Sequence, residues 1–137
     1  EAILKQCQEY LLPFTNAVAE AKRARIEHYV ESDAPEYRPI LRHIEREIEA
    51  LDPEIGDAQL DLKLYEAYHS LQVRMRAEGS DLLSSSVGEG DEFEAFEERL
   101  QSYFELVSDV NSSDLARYVC HRRAILDFLQ TLLRRHS

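Results

Sequence analysis

Glu66 and His69 are the residues whose types and spacing come closest to a metal site in this chain. A carboxylate and an imidazole three residues apart lie on one face of a helix, and paired Glu-x-x-His motifs hold the metal ions of helical-bundle di-iron proteins. A complete site of that kind needs a second Glu-x-x-His and two further inward carboxylates, and the sequence has no second copy of the motif. A solvent-facing or hydrogen-bonded His beside a surface Glu is the simpler interpretation of the pair.

Arg117, His121, Arg122 and Arg123 form a basic cluster that is a candidate for binding instead of catalysis. The cluster lies within an otherwise apolar helical pattern. Charges in such a segment must reach solvent, pair with carboxylates of a neighbouring helix, or dock another protein surface.

Arg38, Arg42 and Arg46 recur every four residues, a spacing that forms a positive ridge on an α-helix. An acidic partner could bind this ridge. The glutamates that alternate with these residues would alternatively neutralise it on a solvated face, because exposed ion pairs of this kind are common and individually contribute little.

No complete nucleotide-binding or hydrolytic motif accompanies these residues. The segment at 84–90 contains Gly88-Glu89-Gly90, but a phosphate cradle needs further glycines, or a Lys followed by Ser or Thr at fixed spacing. Ser, His and Asp occur without the nucleophile-elbow sequence of a hydrolase. The segment at 84–90 is therefore predicted to be a flexible loop, and we assign no catalytic or cofactor-binding residue.

The composition favours one helical domain. Of 137 residues, 44% are hydrophobic and 31% charged, which suits a single core with a polar surface. Only four Gly and four Pro are present, so long helices with few turns are expected. The net charge of -11 repels nucleic acid and anionic membrane surfaces, which leaves protein partners as the expected ones.

Cys7 and Cys120 stand near opposite ends without the spacing of a disulfide framework or a zinc motif. We expect two buried thiols in a reducing compartment, and hence a cytoplasmic location. No apolar run approaches the roughly 18 residues of a membrane span. Because the sequence begins inside a helical pattern, we expect residues 1–137 to be one domain of a longer protein.

Helical periodicity predicts three helices in the first half of the chain. Apolar residues recur from Ile3 to Val30, and Pro13 either kinks this helix or begins a second one. A second pattern follows a break at 32–35 and buries Ile40 or Leu41, Ile44, Ile48 and Leu51. A third, from Asp57, carries the stripe Leu60, Leu64, Ala67, Tyr68, Leu71 and Met75, widened by Leu62 and Tyr65.

Two more helices are predicted in the second half. Apolar residues from Phe93 to Val110 alternate three- and four-residue steps, the pattern of a seam between packed helices. Residues 111–113, Asn-Ser-Ser, predict a break, after which residues 114–135 are apolar on more than one face and predict a core helix. The expected fold is an all-α bundle of five to six helices, mostly antiparallel, without a sheet.

Residues 118–127, Tyr-Val-Cys-His-Arg-Arg-Ala-Ile-Leu-Asp, resemble a helix of large bacterial ATP-binding proteins with an N-terminal ATPase domain of the histidine-kinase-like, heat-shock-chaperone-like type. Residues 34–41, together with 60–82, are similar to the region that precedes that helix. The family's nucleotide motifs, an Asn-bearing helix and an Asp-x-Gly-x-Gly turn, have no counterpart in this chain. The resemblance implies a helical segment downstream of the ATPase domain and carries over no nucleotide-binding residue.

We therefore expect a non-catalytic interaction or coupling module, which transmits the nucleotide state of a chaperone-like ATPase to other domains of the parent protein or to a client. Two alternatives stay open. One is a small helical-bundle metal enzyme using Glu66 and His69; the other is a dimerisation or scaffold domain that forms a homodimer through the seam at 93–110. The candidate interaction residues are Arg117, His121, Arg122, Arg123, Arg38, Arg42 and Arg46.

Overall fold

The computed structural model describes residues 2–85 and 91–136, and every regular element within them is a helix. The elements are α1 at Ala2–Ser32, a 3-10 helix at Pro35–His43, α2 at Glu45–Glu49, α3 at Asp57–Ser84 and α4 at Asp91–His136. The predicted all-α fold of five to six helices is thus confirmed. Of the predicted loop at 84–90, Ser84 ends α3, and the part from residue 86 onward lies outside the described residues.

The 3-10 helix lies at the centre of the core and packs against α1, α3 and α4. Its Ile40 is fully buried, as are Val30 of α1 and Leu60 of α3. Burial of a side chain of this size contributes about 1.5–3 kcal/mol, so these three residues anchor the packing of their elements. The buried apolar residues form one cluster, to which α4 contributes Leu106 and Val110.

Pro35 occupies the first position of this helix, where proline is tolerated, and Pro39 lies inside it. In an α-helix the ring of Pro39 would clash with the carbonyl group four residues earlier, which disfavours a continuous α-helix through this segment. Ile44, with φ -119° and ψ 26°, then separates it from α2. The predicted ridge of Arg38, Arg42 and Arg46 on one α-helix is therefore wrong, because the three residues do not share a regular helix.

The apolar stripe predicted for α3 is confirmed in its narrow form. Leu60, Leu64 and Leu71 are buried, whereas Leu62 and Tyr65 are about half exposed and do not widen it. α3 also continues through Gly79, where α4 approaches closely. A Cβ atom at Gly79 would lie 2.5 Å from the hydroxyl oxygen of Tyr103, so the small residue makes room for α4.

Side-chain contacts define the directions of the long helices. Arg99 bonds to Glu78 at 3.0 Å, whereas Arg117, later in α4, contacts Tyr68, earlier in α3. These contacts make α3 and α4 antiparallel, as predicted for most neighbours. α1 runs parallel to α3, because Arg25 and Tyr29 of α1 contact Asp57 and Asp61 of α3 in the same order, each at 3.2 Å.

α1 is a single helix that contains Pro13, so the proline does not begin a second helix. The part of α1 that precedes the core carries exposed apolar side chains. They are Ile3, Leu4, Leu11, Leu12 and Phe14. Because α1 runs parallel to α3 and Arg25 lies beside the first residue of α3, this N-terminal part extends beyond the start of α3.

α4 is one continuous helix of 46 residues, so the predicted break at Asn111–Ser113 is wrong. Ser113 is fully buried, and its hydroxyl donates to the carbonyl oxygen of Glu36. The serine therefore ties α4 to the start of the 3-10 helix instead of capping a new helix.

The prediction of a core helix at 114–135 is also wrong. Every residue from 118 to 136 is exposed, including Cys120, which was expected to be a buried thiol. The side chain of Cys7 lies outside the described residues. No helix within residues 2–85 and 91–136 has both the length and the hydrophobicity needed to cross a lipid bilayer.

Candidate interaction surface

Arg117 is the last residue of α4 that packs into the core. Its guanidinium carbon lies 4.1 Å from the ring centroid of Tyr68, 5.5 Å from that of Tyr37 and 5.7 Å from that of Tyr65. The Nη2 atom is buried and makes no hydrogen bond with the described residues, so the ring faces hold this side of the cation. Arg117 therefore anchors α4 and does not face outward as a docking residue.

Asp109 fixes α4 to the end of the 3-10 helix. Arg42 Nη2 lies 2.6 Å and His43 Nε2 lies 2.8 Å from Asp109 Oδ2. Burial alone would raise the pKa of Asp109, but the hydrogen bonds from His43 and Arg42 outweigh it and hold the pKa below its usual value. Arg42, predicted to bind a partner, is thus occupied within the chain, whereas Arg38 and Arg46 are exposed.

Beyond Arg117, α4 continues as an extension that we call the C-terminal arm, residues 118–136. His121, Arg122 and Arg123 lie on this arm and are exposed, so these three predicted interaction residues are accessible. The exposed large apolar residues here, including Leu115 one turn before the arm, number nine. They are Leu115, Tyr118, Val119, Ile125, Leu126, Phe128, Leu129, Leu132 and Leu133.

A second apolar pattern follows α4 from Phe93 to Leu126 on its solvent side. Phe93, Phe104, Leu115 and Leu126 are eleven residues apart and are 45%, 59%, 64% and 51% exposed. Eleven residues make three helical turns to within about 20°, so these side chains form one line along the helix. At about 100° per residue this line lies nearly opposite the buried Ser113. We call these four residues the outward stripe.

Charge divides α4 into two halves. Residues 91–114 contain eight Asp or Glu and one Arg, whereas residues 115–136 contain five Arg and one Asp. The basic half is an exception in a chain of net charge -11. An acidic surface is therefore the electrostatic complement of the arm.

A polar groove of about 740 Å³ lies between the 3-10 helix, α3 and α4. Its cations are bonded within the chain: Arg42 to Asp109, Arg74 to the carbonyl oxygen of His43, and Arg99 to Glu78. Because these internal contacts already use the cations, the groove lacks an arginine available to bind an anion.

Glu66 and His69 do not lie in a cluster of metal ligands. Glu66 pairs with Lys63 at 3.4 Å, and His69 is exposed. Within the described part of the chain, no three His, Cys, Asp or Glu side chains form a group that could hold a metal ion. The donor set that a di-iron bundle requires is not assembled around this pair.

Comparison with protein-family models, curated proteins and solved structures gives no match for this chain. The resemblance of residues 118–127 to a helix of chaperone-like ATPases therefore stays a prediction.

Sequence reasoning missed the outward stripe. Its signal is the eleven-residue spacing from Phe93 to Leu126, which crosses the expected break at 111–113. The four residues lie on one face only if α4 is continuous. With the predicted break at 111–113, the spacing does not indicate a shared face.

Proposed function

We propose that this chain is a non-catalytic helical module that binds another protein through the outward stripe and the C-terminal arm of α4. The observation that supports this proposal is the exposure of nine large apolar side chains between Leu115 and Leu133. Scattered apolar residues are normal on protein surfaces, but a large contiguous apolar patch marks an interaction site.

The stability of the arm supports the same proposal. Helices in proteins gain most of their stability from the packing of an apolar face against the rest of the protein. The arm, residues 118–136, has no buried residue. Binding of a partner would therefore both cover its apolar side chains and stabilise its helix.

In its more specific form, the proposal is a coupling module of a bacterial, cytoplasmic, chaperone-like ATPase, with another domain of the parent protein or a client as the partner. The resemblance of residues 118–127, which include the basic cluster His121, Arg122 and Arg123, is the support for this form. The proposed role of these residues is to orient an acidic partner along the arm, because rim charges steer association and set register.

Site-specific photocrosslinking in cells tests the binding surface. A photoreactive amino acid replaces Leu126 on the outward stripe or, as the matched control, Asp127 on the side of the same arm that carries no large apolar residue; both residues are exposed. We expect an adduct of one defined mass from position 126 and little from position 127. Equal labelling at both positions, or no adduct at either, would contradict the proposed function.

A further inference from the structure

The outward stripe and the charges on it have a symmetric spacing. In the first half of α4, Glu97 follows Phe93 by four residues and precedes Phe104 by seven. In the second half, Arg122 follows Leu115 by seven residues and precedes Leu126 by four. The order of spacings therefore reads the same from either end of the helix, about a midpoint between residues 109 and 110.

The charges are opposite at the two symmetric positions. At about 100° per residue, Glu97 and Arg122 both fall on the line of the outward stripe, and both are exposed. Neither has an ion pair within the described residues. If a second helix of the same sequence runs antiparallel with the same midpoint, each Glu97 faces an Arg122, while Phe93 faces Leu126 and Phe104 faces Leu115.

We propose that the outward stripe of α4 binds the outward stripe of a second copy of this chain in this antiparallel register. The proposal rests on the proposed function, because it names the partner of the same surface. A twofold axis places one patch against its own copy, so that residue i meets j and j meets i, and the symmetric spacing satisfies this condition. The homodimer suggested by the sequence would thus use a different face from the seam at 93–110, whose Val110 is buried inside the chain.

Length and charge favour a second copy over an unrelated acidic helix. The stripe spans 34 residues from Phe93 to Leu126, which is about 50 Å of helix. Antiparallel pairing also sets the basic half of each α4 against the acidic half of the other. This arrangement offsets the repulsion between two chains that each carry a net charge of -11.

A charge-exchange series measured by sedimentation equilibrium tests the register. The variants are Arg122→Glu, Glu97→Arg and the two combined, with Arg135→Glu as the control, which makes the same charge change on the opposite side of the helix. Circular dichroism checks that each variant keeps the helical content of the original chain. The salt concentration is held constant, because exposed ion pairs are screened by salt.

We expect the original chain and the control to dimerise alike. Each single reversal should raise the dimer dissociation constant by about tenfold or more, because two like-charge contacts replace two attractive ones. The combined variant exchanges the two positions and should return to within about threefold of the original value.

Three results would overturn the proposal: a chain that stays monomeric at every concentration, a dimer that neither single reversal weakens, or a combined variant as weak as the single ones. The photocrosslinking experiment at Leu126 shows whether only the second-copy proposal fails or whether the proposed function fails as well. An adduct with a different protein, beside a monomeric chain, refutes the second copy and leaves the binding surface standing. No adduct refutes both.

Discussion

Replacement of Arg117 tests how α4 is held against the core before the arm begins. Two variants separate charge from packing. Arg117→Met keeps much of the aliphatic contact with Tyr37, Tyr65 and Tyr68 but removes the cation, whereas Arg117→Ala removes both. In each variant the buried Nη2 atom, which has no hydrogen-bond partner in the described chain, is also lost.

The magnitude follows from the three ring distances. At 4.1 Å the contact with Tyr68 is close and partly desolvated, and we assign it about 2 kcal/mol; the rings of Tyr37 and Tyr65, at 5.5 and 5.7 Å, contribute about 0.5 kcal/mol each. Both substitutions also remove the buried Nη2 group that has no hydrogen-bond partner, and this removal stabilises the folded chain by about 1–2 kcal/mol. We therefore expect Arg117→Met to lower the free energy of unfolding by about 1 kcal/mol, and Arg117→Ala, which also loses packing, by about 2–3 kcal/mol.

Urea unfolding followed by circular dichroism measures both values. The experiment is made in an Arg122→Glu background and at one protein concentration, because dimer formation would make the apparent stability depend on concentration. An Arg117→Ala variant as stable as its parent would refute the anchoring role. An Arg117→Met variant as unstable as Arg117→Ala would show that the cation matters more than this reasoning allows.

Three further predictions concern the arm and the contacts of the core. Removal of residues 122–136 should change the free energy of unfolding of the monomer by less than about 1 kcal/mol, because nothing in this segment is buried; a larger loss would reveal packing in solution. Burial and the carboxylate of Asp61 raise the pKa of Tyr29 to about 12, so the free energy of unfolding should fall as pH rises from about 10 to 12. Tyr29→Phe should reduce that fall, and equal pH profiles of the two chains would contradict this prediction. Asp109→Asn should lower the free energy of unfolding by about 1–2 kcal/mol at neutral pH. Because the lowered pKa of Asp109 gives stability that is lost as pH falls through that pKa, the variant should also lose less stability on acidification, and unfolding measured across the acid range checks both effects.

The helices that face a single core could be predicted from sequence. The stripe of α3 is an example: Leu60, Leu64 and Leu71 follow the 3.6-residue period because one face meets the core and the other meets water. The break at 111–113 could not be judged in the same way. Asn and Ser favour helix ends, but the buried Ser113 bonds to the carbonyl oxygen of Glu36, 77 residues away, and local sequence does not show such a contact.

The arm shows why a binding surface is difficult to distinguish from a core by sequence. Leu126 and Leu129 have the apolar periodicity of buried residues, yet both are about half exposed. Apolar periodicity indicates that one face of a helix will be buried. It does not indicate whether the same chain or a partner buries that face. The positions of His121, Arg122 and Arg123 on a helix were predicted correctly. The inward direction of Arg117 depends on three tyrosines, one on the 3-10 helix and two on α3.

The distance between the two copies of residue 108 tests the central claim most directly. Ser108 is exposed, lies on the line of the outward stripe, and is close to the midpoint of the proposed pairing. In a Cys7→Ser, Cys120→Ser background, a spin label at Ser108→Cys should give a label-to-label distance below about 20 Å, since paired helices lie about 8–10 Å apart. Absence of dipolar coupling, or a much longer distance, would contradict antiparallel pairing through α4.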